Sequence, residues 1–407
     1  MTQNSHPVTD ALFTELATVA GLNPLASLQR EDTGVTVFAT DIPQISRVMR
    51  FANEHRLPVR VQGANTSRSE YGADVLVLRM ERLNALKEHV WQDMTCTVDA
   101  GMPWNSMQAQ LKQHGQFVAL DPLRPDTATV GGVLATNDSG ALRVKYGALR
   151  DLVIGVTLVL TDGTIAKSGG KVVKNVAGYD LNKLLIGSFG SLAVIAEVTF
   201  RLHSLPRSVE TVSIVSANPT SLGKLLLEVS GSQLSLQSMQ LRAVSTGFSL
   251  DICLSTLPEV LQLQKAELAR MAAAHGLSAQ EAAHDVWSAR EAQFTTAGET
   301  GVAVKAAMLP SAIARFADFV RSLGGSSVTQ AGGLMTAGFS RITPEAIANF
   351  RDELESAGGS LTILQQSSRA AEPMRGTSSR LLPVMQRIKR QFDPNNILDP
   401  AGFLEGL

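Results

Sequence analysis

Apolar and polar positions alternate at two periods along the chain, and the order in which those periods follow one another sets out its organisation. Ala11 to Leu28 carries apolar residues at mixed helical spacing, enough for one or two short helices ahead of the strand-like Val35–Ala39. Pro43 to Glu54 reads as a helix, with Ile42, Ile45, Val48, Met49 and Ala52 on one face. Leu57–Val61 reads as a β-branched strand running to Gly63, and Val75–Leu78 and Thr95–Val98 as further strands. Trp104 to His114 is helical and is closed by Gly115. Residues 116–205 are rich in glycine; within them Leu152–Thr161 and Ser191–Leu202 are long apolar strands, the first followed by the turn pair Asp162-Gly163.

Beyond Pro206 the pattern changes. Strands at Glu210–Ser216, Leu236–Leu241, Phe248–Leu254, Val302–Met308, Leu334–Phe339 and Ser360–Gln365 are interleaved with helices at Thr220–Gly231, Pro258–His275, Ser311–Leu323 and Pro344–Ala357. That order predicts an antiparallel sheet with helices on one face and a domain junction near residue 206. Ser367–Ser379 is short and polar, a linker by composition, and a last helix, Arg380–Phe392, leads into Asp393-Pro-Asn-Asn-Ile-Leu-Asp-Pro400. No internal repeat is present.

Composition narrows the picture. A chain of 407 residues with 44% hydrophobic and 18% charged residues can build one large or two medium domains with real cores. With 36 Lys+Arg against 37 Asp+Glu, and no basic run interleaved with aromatics, nucleic acid is not expected as a partner. Cys96 and Cys253 lie in strand-like segments with no second Cys or His at ligand spacing, so both are expected to be reduced, buried and inert, and no metal site is expected. Met1–Asp10 lacks a basic region followed by an apolar core, and no uncharged apolar run approaches the roughly 20 residues that span a bilayer. The expectation is a cytoplasmic chain, held at a membrane only through partners.

Three segments carry candidate chemistry. In Val59-Arg-Val-Gln-Gly-Ala-Asn-Thr-Ser67 an apolar strand delivers a loop of small residues, Gln62, Gly63, Ala64, Asn65, Thr66 and Ser67. Uncovered amides and hydroxyls of that kind can hold a diphosphate at about 1.5–3 kcal/mol per hydrogen bond to charge. The bland reading is an ordinary strand-to-loop turn. The second segment is Asp121-Pro122 followed by Asp126-Thr-Ala-Thr-Val-Gly-Gly-Val-Leu-Ala-Thr-Asn-Asp-Ser-Gly140, a backbone flat enough to lie beside a ring system. It lacks the G-x-G-x-x-G spacing of a Rossmann site, and a Gly-rich structural turn is its plainer reading. In the third, Gly169 to Leu181 and then Leu185 to Glu197, residues Lys171, Lys174, Asn175, Tyr179 and Asp180 lie among glycines between two strong strands. The plainer reading there has Lys171 and Lys174 solvated and Asp180 capping the helix that follows.

The order of these segments, with Ala128-Thr-Val-Gly-Gly, then Gly187-Ser-Phe-Gly, then Val194-Ile195, resembles the FAD domain of flavoproteins of the vanillyl-alcohol oxidase / para-cresol methylhydroxylase type. The likeness runs over residues 35–205 and resumes at 386–402 with Arg390-Gln-Phe-Asp-Pro-Asn-Asn-Ile-Leu-Asp-Pro. Lys174-Asn-Val-Ala-Gly-Tyr-Asp-Leu181 resembles the FAD-binding E subunits of bacterial glycolate oxidases in particular. The resemblance implies an α+β chain: an FAD-binding domain of two subdomains (1–205, completed by 376–407) with an inserted antiparallel-sheet cap domain (206–375). It also implies that Gln62–Ser67, Thr127, Thr129, Val130, Gly131, Gly132, Ala135, Thr136 and Asn137 wrap the diphosphate and the flavin edge. Pro122 and Gly140 would shape the same wall, and Gly190, Val194 and Ile195 would line the adenine-ribose side.

This sequence departs from the family at three points. The first loop, Gln62–Gly72, contains no His or Cys, so FAD is expected to be held noncovalently. The second domain has no His-x-Gly-Asp-Gly-Asn-x-His segment: beyond residue 203 only His275 and His284 remain, neither in that setting. A base beside the hydroxyl and a cation to polarise it are therefore missing from their usual place. Asp399 stands where the closing motif usually has Asn. Trp287-Ser-Ala-Arg-Glu291 resembles a W-x-x-R-E segment of the family; Arg290 is a candidate for a substrate carboxylate or for a structural ion pair. Catalytic candidates are thus Lys174, Tyr179 and Arg290. The function implied is the FAD-binding subunit of a glycolate oxidase complex that oxidises glycolate or another 2-hydroxy acid. It would sit beside a second FAD-linked subunit and an iron–sulfur subunit, at the inner membrane only through them. Two cysteines are too few for a cluster on this chain. A self-sufficient FAD-linked dehydrogenase and a flavin-free structural subunit are the rivals.

Overall fold

The computed structural model describes residues 10–21, 23, 27–31, 34–64, 75–170, 180–282, 285–298, 300–366 and 382–398. The chain forms two compact units, one of Met1–Ser139, Ala148–Ser204 and Ser379–Leu407, the other of Gly140–Gly147 and Leu205–Ser378. Gly140–Gly147 groups with the second unit although it lies in the middle of the first in sequence.

The first unit has two sheets. One contains β1 (Leu28–Glu31), β2 (Gly34–Phe38), β3 (Val59–Gln62) and β4 (Val75–Arg79) in the order β1-β2-β4-β3, with β2 and β3 parallel to β4. The helix Ile42–Glu54 connects β2 to β3, as a parallel crossover requires. Its start is set by Asp41, whose side chain accepts the Gln44 amide at 2.7 Å, and by a proline in the first turn. It buries Ile45, Val48, Met49 and Ala52 against Val35, Val37, Leu76 and Leu78. The C-terminal segment returns here: Val59 donates to Ile397 O at 2.7 Å and bridges Leu398 in parallel.

The second sheet is antiparallel, in the order β5 (Leu86–Val90), β6 (Thr95–Asp99), β10 (Val194–Arg201), β8 (Val153–Val159), β9 (Ile165–Gly169). The helix Trp104–Lys112 packs on it, with Trp104 edge-on to Phe200 at 5.9 Å. Strand β10 serves both cores, since Val194 and Ala196 pack into the first while Ile195, Val198 and Phe200 pack into the second. A two-stranded ribbon, β7 (Gln116–Phe117) with β11 (His203–Ser204), closes the unit.

The second unit is one eight-stranded antiparallel sheet. In the order of their pairing its strands are β15 (Ala279–Glu281), β12 (Ser208–Ser216), β14 (Gly247–Thr256), β13 (Leu236–Val244), β17 (Ser326–Gln330), β18 (Leu334–Phe339), β16 (Val302–Ala307) and β19 (Ser360–Gln366). Helices Pro219–Ser230, Pro258–Ala274, Ile313–Ser322 and Pro344–Ser356 share a core with the apolar face of the sheet, through Leu226, Leu268, Phe316 and Phe350. The opposite face is polar. There the buried Asp251 accepts from Ser213 Oγ at 2.8 Å, Ser249 Oγ at 2.9 Å, Arg242 Nη2 at 3.0 Å and Gln240 Nε2 at 3.2 Å. Four donors of which one is a guanidinium compensate a fully desolvated carboxylate.

Candidate functional site

The site is built on the first unit. Strand β3 ends at Gln62, whose carbonyl accepts the Met80 amide at 2.9 Å, and releases Gly63 and Ala64. A Cβ at Gly63 would overlap the Thr129 hydroxyl and lie 3.1 Å from Thr129 Cβ, so the first loop runs directly against the second and only glycine admits the approach.

The second segment is a helix, Val130–Thr136, rather than the flat backbone that its glycines suggest. Buried Thr129 is its N-cap and accepts the Gly132 amide at 3.3 Å; Asn137 ends it in the left-handed region at φ 49°. The amides of Val130 and Gly131 donate to Met102 O at 3.0 Å and Ala100 O at 2.7 Å. Both amides are thus engaged within the protein. Gly131 serves close packing, since a Cβ there would lie 2.9 Å from Ala100 Cβ. The loop Ala100-Gly101-Met102 is therefore packed against the start of this helix.

The loop Gly187-Ser-Phe-Gly190 hangs from the same helix. Gly187 donates to Leu134 O at 3.0 Å and Phe189 to Ala135 O at 2.9 Å. Gly187, Phe189 and Gly190 all have positive φ (85°, 53° and 78°), and nothing lies within 4 Å of where a Gly190 Cβ would be. A phenylalanine held left-handed is strain of about 1–2 kcal/mol that the surrounding bonds sustain.

The structure thus gathers Gly63, Thr129, Gly131, Gly132, Ala135 and, through Phe189, Gly190. Pro122 is buried, Thr127 exposed, and Thr136 donates its hydroxyl to Gly132 O at 2.8 Å. Val194 and Ile195 are 0% and 6% exposed, so their side chains belong to the two cores and a ligand could meet little more than their backbone. Gly140 lies in the second unit, as does the buried Arg290 at the end of the turn Trp287–Arg290. Asn65, Thr66, Ser67, Lys174, Tyr179 and Asp399 lie outside the described residues. Cys96 and Cys253 are free and buried, and burial pushes the Cys96 thiol up to about 12. Among the described residues no group of three metal-ligating side chains occurs, and no helix is long and apolar enough to cross a membrane.

Small residues and hydroxyls at a convergence of three loops, with no charged side chain among the gathered residues, fit a dinucleotide held by its backbone contacts. Solved structures define the fold. p-Cresol methylhydroxylase superposes with a TM-score of 0.70 at 14% identity, over 96% of this chain and 92% of that one. Chitooligosaccharide oxidase does so with 0.69 at 14% identity, over 97% and 100%. Residues 33–169 match the family described as an FAD binding domain. The fold is that of p-cresol methylhydroxylase, residues 33–169 are similar to an FAD binding domain, and FAD is the cofactor such a domain takes. Among sequence relatives, the mitochondrial D-lactate dehydrogenase [cytochrome] of Arabidopsis thaliana is 34% identical over 52% of this chain and 38% of its own length. For the D-lactate dehydrogenase of Archaeoglobus fulgidus the values are 32%, 55% and 51%, and for glycolate oxidase subunit GlcD of Bacillus subtilis 34%, 43% and 38%. The matched stretches span about half or less of those relatives.

Proposed function

We propose that this chain holds FAD noncovalently and serves as the FAD-binding subunit of a complex that oxidises glycolate or another 2-hydroxy acid, beside a second flavin-linked subunit and an iron–sulfur subunit. The observation that carries the reading is the approach of Gly63 to Thr129, which brings two loops distant in sequence to one place. Similarity to GlcD and to D-lactate dehydrogenases supports the substrate class. The missing His-x-Gly-Asp-Gly-Asn-x-His segment supports a subunit role, because that usual source of the base and metal ligands has no counterpart in the second half of the sequence.

FAD, when bound, supplies the acceptor for the two electrons that leave the hydroxyl-bearing carbon. The protein's part is to hold and orient it. The Thr129 oxygen accepts from Gly132 and has its proton left to donate, Gly63 lies against it, and the proposed Asn65, Thr66 and Ser67 would add small polar groups. Pro122, Thr127, Val130, Thr136, Asn137, Gly140, Gly190, Val194 and Ile195 complete the proposed cofactor set, and Lys174, Tyr179 and Arg290 the proposed catalytic one.

The test is an absorption spectrum of the purified chain, acid precipitation, and anaerobic addition of glycolate or D-lactate with and without the partner subunits. A yellow protein that releases its colour into the acid supernatant, and bleaches only with partners present, fits the proposal. Bleaching of the isolated chain would make it a self-sufficient dehydrogenase, and a colourless protein that takes up no added FAD sinks the cofactor reading.

A further inference from the structure

The sequence presents Lys389 as one more basic residue on a polar helix, yet its side chain is 6% exposed. Its ammonium donates to Asp393 Oδ2 at 2.7 Å, Leu398 O at 2.7 Å and Ser191 O at 2.9 Å, which uses all three protons. Asp393, fully buried, accepts in turn from the Ile397 amide at 3.0 Å and the Leu398 amide at 2.8 Å. A buried ion pair is weak evidence for stability, since desolvation offsets most of the attraction, and what it supplies best is a fixed arrangement.

That arrangement joins three segments of the first unit. Ile397 and Leu398 pair with Val59 at the start of β3, the strand whose other end releases Gly63. Ser191 closes the loop of Gly187, Phe189 and Gly190, donating its amide and its hydroxyl to Ser188 O at 3.0 and 2.6 Å. On its other side the loop is held by Leu134 O and Ala135 O; within it the Ser188 hydroxyl is buried with no hydrogen-bond partner. A loop with three left-handed residues keeps that shape only if both ends are fixed, and Lys389 is the fixture at the second end.

We infer that Lys389 is a positioning residue of the cofactor site: paired with Asp393, it makes the docked C-terminal segment the latch that holds the Gly187–Gly190 loop, and through β3 the Gly63 loop, in the form that retains FAD. This rests on the FAD reading above.

The test compares three variants of the full chain with the wild type, by FAD titration of the apoprotein, urea unfolding, and hydrogen exchange of the Gly187–Ser191 amides. In Lys389→Met the FAD Kd rises at least tenfold and exchange of those amides accelerates. In Lys389→Met/Asp393→Asn, where no charge is left buried without its partner, the unfolding midpoint recovers toward wild type but the Kd and the exchange do not. This double variant carries the test should Lys389→Met fail to fold. Leu16→Ala, a cavity under the helix Asp10–Ala20, lowers the midpoint and leaves the Kd within twofold. The inference is overturned if Lys389→Met binds FAD as the wild type does, if loop exchange is unchanged, or if the Kd simply follows the midpoint in all three. A wild-type apoprotein that takes up no FAD overturns the cofactor reading, whereas the exchange measurement judges the latch without flavin.

Discussion

Gly63→Ala is the sharpest perturbation of the candidate site. The added methyl would overlap Thr129 Oγ1 and sit 3.1 and 3.2 Å from its Cβ and Cγ2. To reach an ordinary contact of about 3.5 Å with the oxygen the loop must retreat by about 1 Å or more. Overpacking of this kind costs about 1–3 kcal/mol, and the retreat opens the wall against which the cofactor lies, so FAD affinity falls with stability. Thr129→Ala alone removes a helix cap, worth about 1 kcal/mol. Combined, the two cost less than their sum by about 1–2 kcal/mol, because truncating Thr129 removes Oγ1, the atom that the new methyl strikes hardest, together with Cγ2. Urea unfolding and FAD titration of the four proteins measure the cycle. Additive costs, or a Gly63→Ala protein with unchanged midpoint and affinity, would refute the juxtaposition of the two loops.

Asp41→Ala removes the cap of the helix Ile42–Glu54 and lowers stability by about 1 kcal/mol in urea, with no change in the bound-flavin spectrum. Asp251→Ala leaves Arg242 partly buried without its carboxylate, and Ser213, Ser249 and Gln240 without their acceptor. It costs about 3–5 kcal/mol in the second unit, read as a lower melting temperature by calorimetry, and a shift under 1 kcal/mol would count against the network. For Cys96 the folded-state pKa is raised from 9.0 to about 12 by burial, so the folded chain keeps a proton that the unfolded chain gives up. Below pH 9 that proton makes no difference to stability; as pH rises from 9 toward 12 stability is lost, by at most about 1.4 kcal/mol per unit. Relative to Cys96→Ala, the wild type should weaken over that window, and parallel pH profiles would disprove the assignment.

The elements with a strong period were legible in the sequence. Ile45, Val48, Met49 and Ala52 mark the helix Ile42–Glu54, and the long apolar strands lie within a few residues of their runs, whereas short or polar strands such as β1, β5 and β15 carry no such run. Two of the hidden elements were so for different reasons. Strand β17, Ser-Ser-Val-Thr-Gln, turns Ser327 and Thr329 toward the apolar side, opposite Ala243 and Leu241, with hydroxyls that find no partner. A hydrophobicity pattern cannot report a strand whose inward positions are hydroxylated. The helix Val130–Thr136 carries two adjacent glycines, each costing about 1 kcal/mol in a helix, and exists because Thr129 caps it and Ala100 leaves no room for a side chain at Gly131.

The candidate site divides along the same line. Glycines that permit close approach announce themselves by composition, so Gly63 and Gly131 could be singled out, but what each approaches is a fact of tertiary structure. Gly131 turns out to press on Ala100 with its amide already engaged, whereas Gly63 meets Thr129 across the site. Lys389 is the extreme case, because local sequence gives a lysine on a polar helix every reason to be solvated. Only the carbonyls of Ser191 and Leu398, brought in from other segments, make its burial affordable. Loops that bind through backbone shape need such distant supports, so the residues that hold a cofactor in place extend well beyond the glycines that identify the site.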